Sequence, residues 1–90
     1  MNNIRIDLYS DTITKPTQEM RKFMCKADVG DEQQREDPTV NMLVDRVCEL
    51  LNKEDAIFLP SGIMCNQISF RVYCRPGDEI IMDHTAHPRH

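Results

Sequence analysis

The sequence predicts an α/β fold in which parallel strands are joined by crossover helices. After residue 36 the pattern runs helix, strand, helix, strand, because two segments that suit helices alternate with two short apolar runs at 56–59 and 79–82. Two short strands do not make a sheet that is covered on both faces. We therefore expect the 90 residues to be the opening of a larger domain, incomplete as given.

Residues 1–36 are predicted to form an arm, a first helix and a loop. Residues 4–9 alternate apolar and polar side chains, which is typical of a short edge strand or an extended arm. A helix is predicted from about Thr17 to Lys26, where apolar side chains at intervals of three and four residues form one stripe. A polar loop follows at 30–36.

Residues 37–90 are predicted to form the helix-strand-helix-strand start of the α/β core. Asp37 suits a helix N-cap, and Pro38 suits the first helical position, where a missing N–H is tolerated. Asn52 suits the residue that follows the helix. The apolar run at 56–59 then reads as a strand buried on both faces.

The last two predicted elements are a third helix and a second strand, separated by a turn. A third helix is predicted from Gly62 to about Tyr73, and the turn at 75–78 (Arg-Pro-Gly-Asp) ends it. The apolar run at 79–82 is the second predicted strand.

Composition excludes several classes of protein. The net charge is −4, from 11 Lys+Arg and 15 Asp+Glu, and no stretch concentrates basic residues, which argues against a nucleic-acid or anionic-membrane partner. No apolar run approaches the ~20 residues of a membrane helix, and charged residues interrupt any signal-peptide core near the N-terminus. We expect a cytoplasmic protein.

The cysteines are predicted to be reduced, buried thiols. No two of them have CxxC spacing, and each lies in an apolar or amphipathic stretch, where a free cysteine behaves as a small hydrophobic residue. The four positions are Cys25, Cys48, Cys65 and Cys74.

The turn from the first strand to the third helix is a candidate anion site. The first N–H groups of a helix have no internal partner and lie at the positive end of its dipole, so they can hold a phosphate. Gly62 allows close approach of the backbone, and Ser61 can cap the helix or donate its hydroxyl. The alternative is an ordinary Ser-Gly turn.

The histidines cluster after the second predicted strand, at His84, His87 and His90. Ligands of open α/β sheets bind at this edge. Three interpretations stay open: a polar loop, an imidazole that stacks on a cofactor ring or acts as acid or base, and a metal site. Pro88 breaks a continuous helical face and no customary zinc spacing is present, so we predict no metal and keep the metal site as the least favoured of the three interpretations.

Two further polar segments are weaker candidates. Tyr9-Ser10-Asp11-Thr12 places hydroxyls and a carboxylate after an extended arm, with an Asx or Ser/Thr turn as the alternative. The acidic residues around 30–37 read either as a functional loop or as a solvated loop with an N-cap.

Taken together, these segments resemble the N-terminal part of a threonine aldolase of the aromatic amino acid β-eliminating lyase family. The matching stretches cover nearly the whole chain and stand in order: IDLYSDTITKPTQEMRKFM at 6–24, VGDE at 29–32, EDPTVN at 36–41, AIFLPSGIMCNQ at 56–67, CRPGDEII at 74–81 and TAH at 85–87. The resemblance implies the N-terminal part of a fold type I, PLP-dependent transferase-like large domain.

The resemblance also implies a function. Family members use pyridoxal 5′-phosphate (PLP) to cleave a β-hydroxy-α-amino acid such as threonine to glycine and an aldehyde, and they are homo-oligomers. It implies that Ser61, Gly62 and Ile63 cradle the phosphate, that His87 stacks on the ring and assists proton transfer, and that Ser10 helps to hold the substrate carboxylate.

Several positions depart from the family pattern. Tyr9 stands where Arg is usual, Ile63 where Thr is usual, and Gln34-Arg35 where Tyr-Gly is frequent. The Schiff-base lysine lies further along in the family, and none of this chain's lysines matches it, so we expect the 90 residues alone to be inactive. The alternatives are a truncated, inactive interaction module that needs a partner chain, and a histidine-rich metal binder.

Overall fold

The structure is a computed structural model that describes residues 6–89. These residues contain three α-helices and two short 3₁₀ turns. The helices are α1 (Gln18–Lys26), α2 (Pro38–Leu51) and α3 (Gly62–Tyr73). The 3₁₀ turns are Asp11–Ile13 and His87–Arg89. The three helices predicted from the sequence are therefore confirmed.

Capping side chains explain where the helices begin. Thr17 precedes α1 in an extended conformation, and its hydroxyl accepts a hydrogen bond from the N–H of Met20 at 3.2 Å. Asp37 does the same for α2, since its Oδ1 accepts from the N–H of Val40 at 2.9 Å. Each cap satisfies an N–H that has no partner within its helix.

The end of α2 is a Schellman arrangement around Asn52. This residue has a φ of 52°, in the left-handed region that Asn tolerates better than most residues. The N–H of Lys53 donates to the carbonyl of Cys48 at 3.0 Å, and the N–H of Asn52 donates to the carbonyl of Glu49 at 3.4 Å. The predicted helix stop is confirmed, and its cause is local.

The predicted strands are wrong for this chain. No residue from 6 to 89 is in a strand, including the apolar runs 56–59 and 79–82. The described part of the arm, 6–9, is not in a strand either, which leaves the extended arm of the two forms predicted for it. Residues 4 and 5 of that arm lie outside the described residues. A strand needs a neighbour to take its backbone hydrogen bonds. Neither apolar run has one within this part of the chain.

The described residues also lack a buried core. None of them is fully buried, and large apolar side chains remain open to solvent, with Ile81 fully exposed and Leu8 91% exposed. All four cysteines are free, but the prediction that they are buried is wrong. Cys25 and Cys65 are exposed, whereas Cys48 and Cys74 are half-buried.

The chain divides into two compact units, residues 1–42 and 43–90, with the division inside α2. The predicted organisation into an arm at 1–36 and an α/β start at 37–90 stays a prediction. No helix among the described residues has both the length and the apolar character to cross a bilayer.

Candidate functional site

The N-terminus of α3 begins the candidate site in the second unit. Ser61 is extended, with φ −149° and ψ 151°, and its Oγ accepts a hydrogen bond from the N–H of Met64 at 3.2 Å. Its carbonyl accepts the first intrahelical bond, from the N–H of Cys65 at 3.2 Å. Ser61 is therefore the N-cap, one of the two roles that the sequence allowed it.

Two backbone N–H groups remain open at this helix end. Those of Gly62 and Ile63 lie in the first turn, and neither has an acceptor among residues 6–89. A Cβ added to Gly62 would meet nothing within 4 Å, so the space beside the backbone is open. Two unpaired donors at the positive end of a helix dipole, with open space beside them, fit a phosphate group.

A cleft of about 230 Å³ lies beside the same helix. Its lining consists of Ile63, Asn66, Gln67, His87 and Pro88. The 3₁₀ turn that begins at His87 contacts α3, which brings the imidazole to this face. Ile63 and His87, which sequence reasoning proposed separately, therefore line one cleft.

Sequence reasoning missed the two amide side chains of this cleft. Asn66 and Gln67 follow Ile63 by three and four residues, the spacing that places side chains on one helix face. That spacing was a usable signal. The sequence alone does not show that the turn beginning at His87 packs on this face of α3.

A hydrogen-bonded turn precedes His87. The carboxylate of Asp83 accepts from the N–H of Thr85 at 2.8 Å and from its hydroxyl. These bonds hold the pKa of Asp83 below its usual value, and the bond from the Thr85 hydroxyl has the largest effect. His84 Nδ1 lies 3.7 Å from Asp83 Oδ1. The N–H of Ala86 closes the turn on the Asp83 carbonyl at 3.0 Å.

No group of three His, Cys, Asp or Glu side chains within residues 6–89 is arranged to hold a metal ion. His90, the third member of the predicted histidine cluster, lies outside the described residues. His84 lies in the hydrogen-bonded turn that begins at Asp83, and His87 lines the cleft beside α3.

Ser10 lies in the first unit. Its Oγ accepts from the N–H of Thr12 at 3.3 Å and is 2.9 Å from the Thr12 hydroxyl, which makes it the N-cap of the first 3₁₀ turn. These are the contacts of the Ser/Thr turn that the sequence allowed as an alternative. The substrate-binding role of Ser10 stays a prediction.

The acidic loop of the first unit is organised by Asp37. Its Oδ2 accepts from the N–H of Gly30 at 3.1 Å, while its Oδ1 caps α2. A Cβ on Gly30 would overlap the carbonyl oxygen of Glu36, so only glycine allows this approach. Arg35 has a φ of 59°, a left-handed conformation that glycine would adopt more readily.

Comparison with known proteins gives the family. The β-eliminating lyase family matches residues 7–89. The chain is 46% identical over 82 residues to the low specificity L-threonine aldolase of Escherichia coli K12, and this match covers 91% of the chain and 25% of the relative. Low-specificity L-threonine aldolase 1 of Arabidopsis thaliana is 43% identical over 83 residues, again 91% of the chain, and 23% of the relative.

A third relative, the low specificity L-threonine aldolase of Saccharomyces cerevisiae, is 38% identical over 90% of the chain and 21% of its own length. The chain thus spans about a quarter of the length of these relatives. No solved structure matches it significantly. Because the family match extends over residues 7–89, the chain belongs to the β-eliminating lyase family.

Proposed function

We propose that this chain is the N-terminal portion of a PLP-dependent lyase that cleaves a β-hydroxy-α-amino acid, such as threonine, to glycine and an aldehyde. The observation that carries the proposal is the 46% identity to the Escherichia coli low specificity L-threonine aldolase over 91% of the chain. Since the match covers only a quarter of that relative, the activity belongs to the complete protein.

The cofactor phosphate is proposed to lie at the N-terminus of α3. The open N–H groups of Gly62 and Ile63 would donate to its oxygens, and the helix dipole would favour its negative charge. Ser61 would keep the first turn in place through its bond to Met64. The isoleucine at position 63 offers no hydroxyl, so the backbone supplies the donor there.

His87 is proposed to stack on the pyridine ring and to assist proton transfer at the substrate's β-hydroxyl. Its place in the same cleft as Ile63 supports this role, because one small ligand can then contact both. When bound, PLP supplies the electron sink for cleavage of the carbon–carbon bond. The imidazole contributes by orienting the ring and by holding or moving the proton.

Ser10 is proposed to help bind the substrate carboxylate through its hydroxyl. That hydroxyl now contacts Thr12, so binding would exchange a local contact for a bond to a charged group. The small amino acid substrate, a homo-oligomeric state and a cytoplasmic location remain part of the proposal for the complete protein.

The test is to incubate the complete protein with PLP and L-threonine and to measure glycine and aldehyde. Equal amounts of the two products are expected. Absence of both products with threonine and with other β-hydroxy-α-amino acids would contradict the proposed function.

A variant of the complete protein tests the catalytic residue. The variant His87→Ala should lower turnover by about 10²-fold, the lower end of the contribution of a positioned acid or base. His84→Ala is the matched control, because His84 does not line the cleft. Unchanged kinetics in His87→Ala would remove the assigned role of this residue.

The alternative is a catalytically inactive module that needs a partner chain. The exposure of Leu8 and Ile81 favours it, because apolar surface of this kind is normally covered. Sedimentation and thermal unfolding of the 90-residue chain test this alternative. A monomer that unfolds cooperatively would contradict the need for a partner.

A further inference from the structure

The polar groups of the cleft beside α3 are three: the amides of Asn66 and Gln67 and the imidazole of His87. The other lining residues, Ile63 and Pro88, are apolar. None of the three polar side chains has a hydrogen-bond partner among residues 6–89, so solvent satisfies them while the cleft is open.

This arrangement is costly once a ligand covers the cleft. A polar group that is removed from water without a new partner loses its hydrogen bonds to water, and this loss opposes ligand binding. A ligand that fills this cleft would exclude water from the imidazole N–H and from the nearby amides. The lowest-energy arrangement then pairs the imidazole N–H with an amide oxygen of the same lining.

The helix geometry favours Gln67 for this pairing. A helical side chain covers the surface over the turn that precedes it, so Gln67 extends over Ile63 in the first turn of α3. It also has one more methylene than Asn66. We propose that Gln67 is a positioning residue for His87, and that its Oε1 accepts a hydrogen bond from the imidazole N–H.

This inference rests on the proposed function for the need to position His87, but its first test reads the imidazole and not the activity. The complete protein is loaded with PLP but given no substrate, and the ring nitrogen chemical shifts of His87 are measured by NMR. Removing the amide in Gln67→Met should change the tautomer populations that these shifts report. Gln67→Glu keeps an acceptor oxygen and should keep a proton on the ring nitrogen that faces residue 67.

Asn66→Leu is the matched control, since it removes the neighbouring amide of the same cleft. It should leave the His87 shifts unchanged. The proposal is overturned if Gln67→Met leaves the His87 shifts as in the wild type, or if Asn66→Leu changes them as much. A protein that shows the Gln67 effect but forms no glycine from threonine would contradict the proposed function alone.

A kinetic measurement on the PLP-loaded protein completes the test. Loss of one positioning hydrogen bond should lower kcat about threefold to tenfold with little change in KM. Gln67→Glu should recover part of kcat. A rise in KM with an unchanged kcat would show a binding role instead and would overturn the assignment as a positioning residue.

Discussion

At the scale of single residues, Asp37 connects a loop to a helix. Its carboxylate accepts from the N–H groups of Val40 and Gly30. These bonds hold the pKa of Asp37 below the usual value of an aspartate, and the bond from Val40 has the largest effect. A group with a lowered folded-state pKa contributes stability above its unfolded pKa and loses it as pH falls through the folded value.

The first prediction is therefore an acid-dependent loosening of this loop. As pH falls from about 4 toward the lowered pKa, the amide proton shifts of Gly30 and Val40 should move toward those of unbonded amides. NMR of the complete protein measures this. In Asp37→Asn the shifts should no longer titrate, whereas Asp45→Asn, on an exposed part of α2, should titrate like the wild type. Unaltered titration in Asp37→Asn would refute the assignment.

Two glycines form a matched pair for the second prediction. Gly30→Ala should lower the stability of the complete protein by about 1–3 kcal/mol, because its Cβ would overlap the backbone of Glu36. In Gly62→Ala the added Cβ lies in open space, so the stability should change by no more than about 0.5 kcal/mol. Thermal unfolding measures both variants.

Gly62→Ala also separates folding from ligand binding. If the PLP phosphate approaches this backbone, the added Cβ should weaken PLP binding by about tenfold, or about 1.4 kcal/mol. A fluorescence titration with PLP measures the affinity. Wild-type affinity in a stably folded Gly62→Ala protein would speak against the phosphate position proposed here.

At the scale of elements, Ser61 and Ser69 allow a clean test of the α3 cap. Ser61→Ala removes the side-chain acceptor of the Met64 N–H and should cost about 1 kcal/mol at this helix end. Ser69→Ala, inside the same helix, removes only a bond to the carbonyl of Cys65. It should be neutral or slightly stabilising. Hydrogen exchange at Met64 should accelerate in the first variant and not in the second.

The helices were predictable because their signals are local. Thr17, Asp37 and Asn52 act within a few residues of the helix ends that they define. The turn at 75–78 is equally local, with Gly77 at φ 97° and the N–H of Asp78 donating to the carbonyl of Arg75. The apolar runs at 56–59 and 79–82 do not form strands, because strand formation depends on partners elsewhere in a sheet.

At the scale of the whole molecule, the exposed apolar surface is the main feature of the described residues. Phe23, Phe58 and Ile81 are all open to solvent. Burial of such side chains is the main source of folding stability. The family match covers about a quarter of the relatives' length, and we propose that the remaining sequence of the complete protein covers this surface.

A further prediction concerns the 90-residue chain by itself. With PLP and L-threonine it should release no glycine, because no lysine in it matches the family's Schiff-base lysine. Glycine formation is measured beside the complete protein as the positive control. Release of glycine by the purified 90-residue chain at a rate above that of PLP alone would contradict this expectation.

The sequence by itself determined the helix bounds, the turn chemistry and the family, because caps, turns and motifs are properties of short segments. Only the tertiary structure decided that His87 shares a cleft with Asn66 and Gln67, and that the Gly30 backbone contacts that of Glu36. Those contacts arise when the chain turns back on itself. Hydrophobic periodicity reports which face of a helix is apolar, but not which distant segment packs against it.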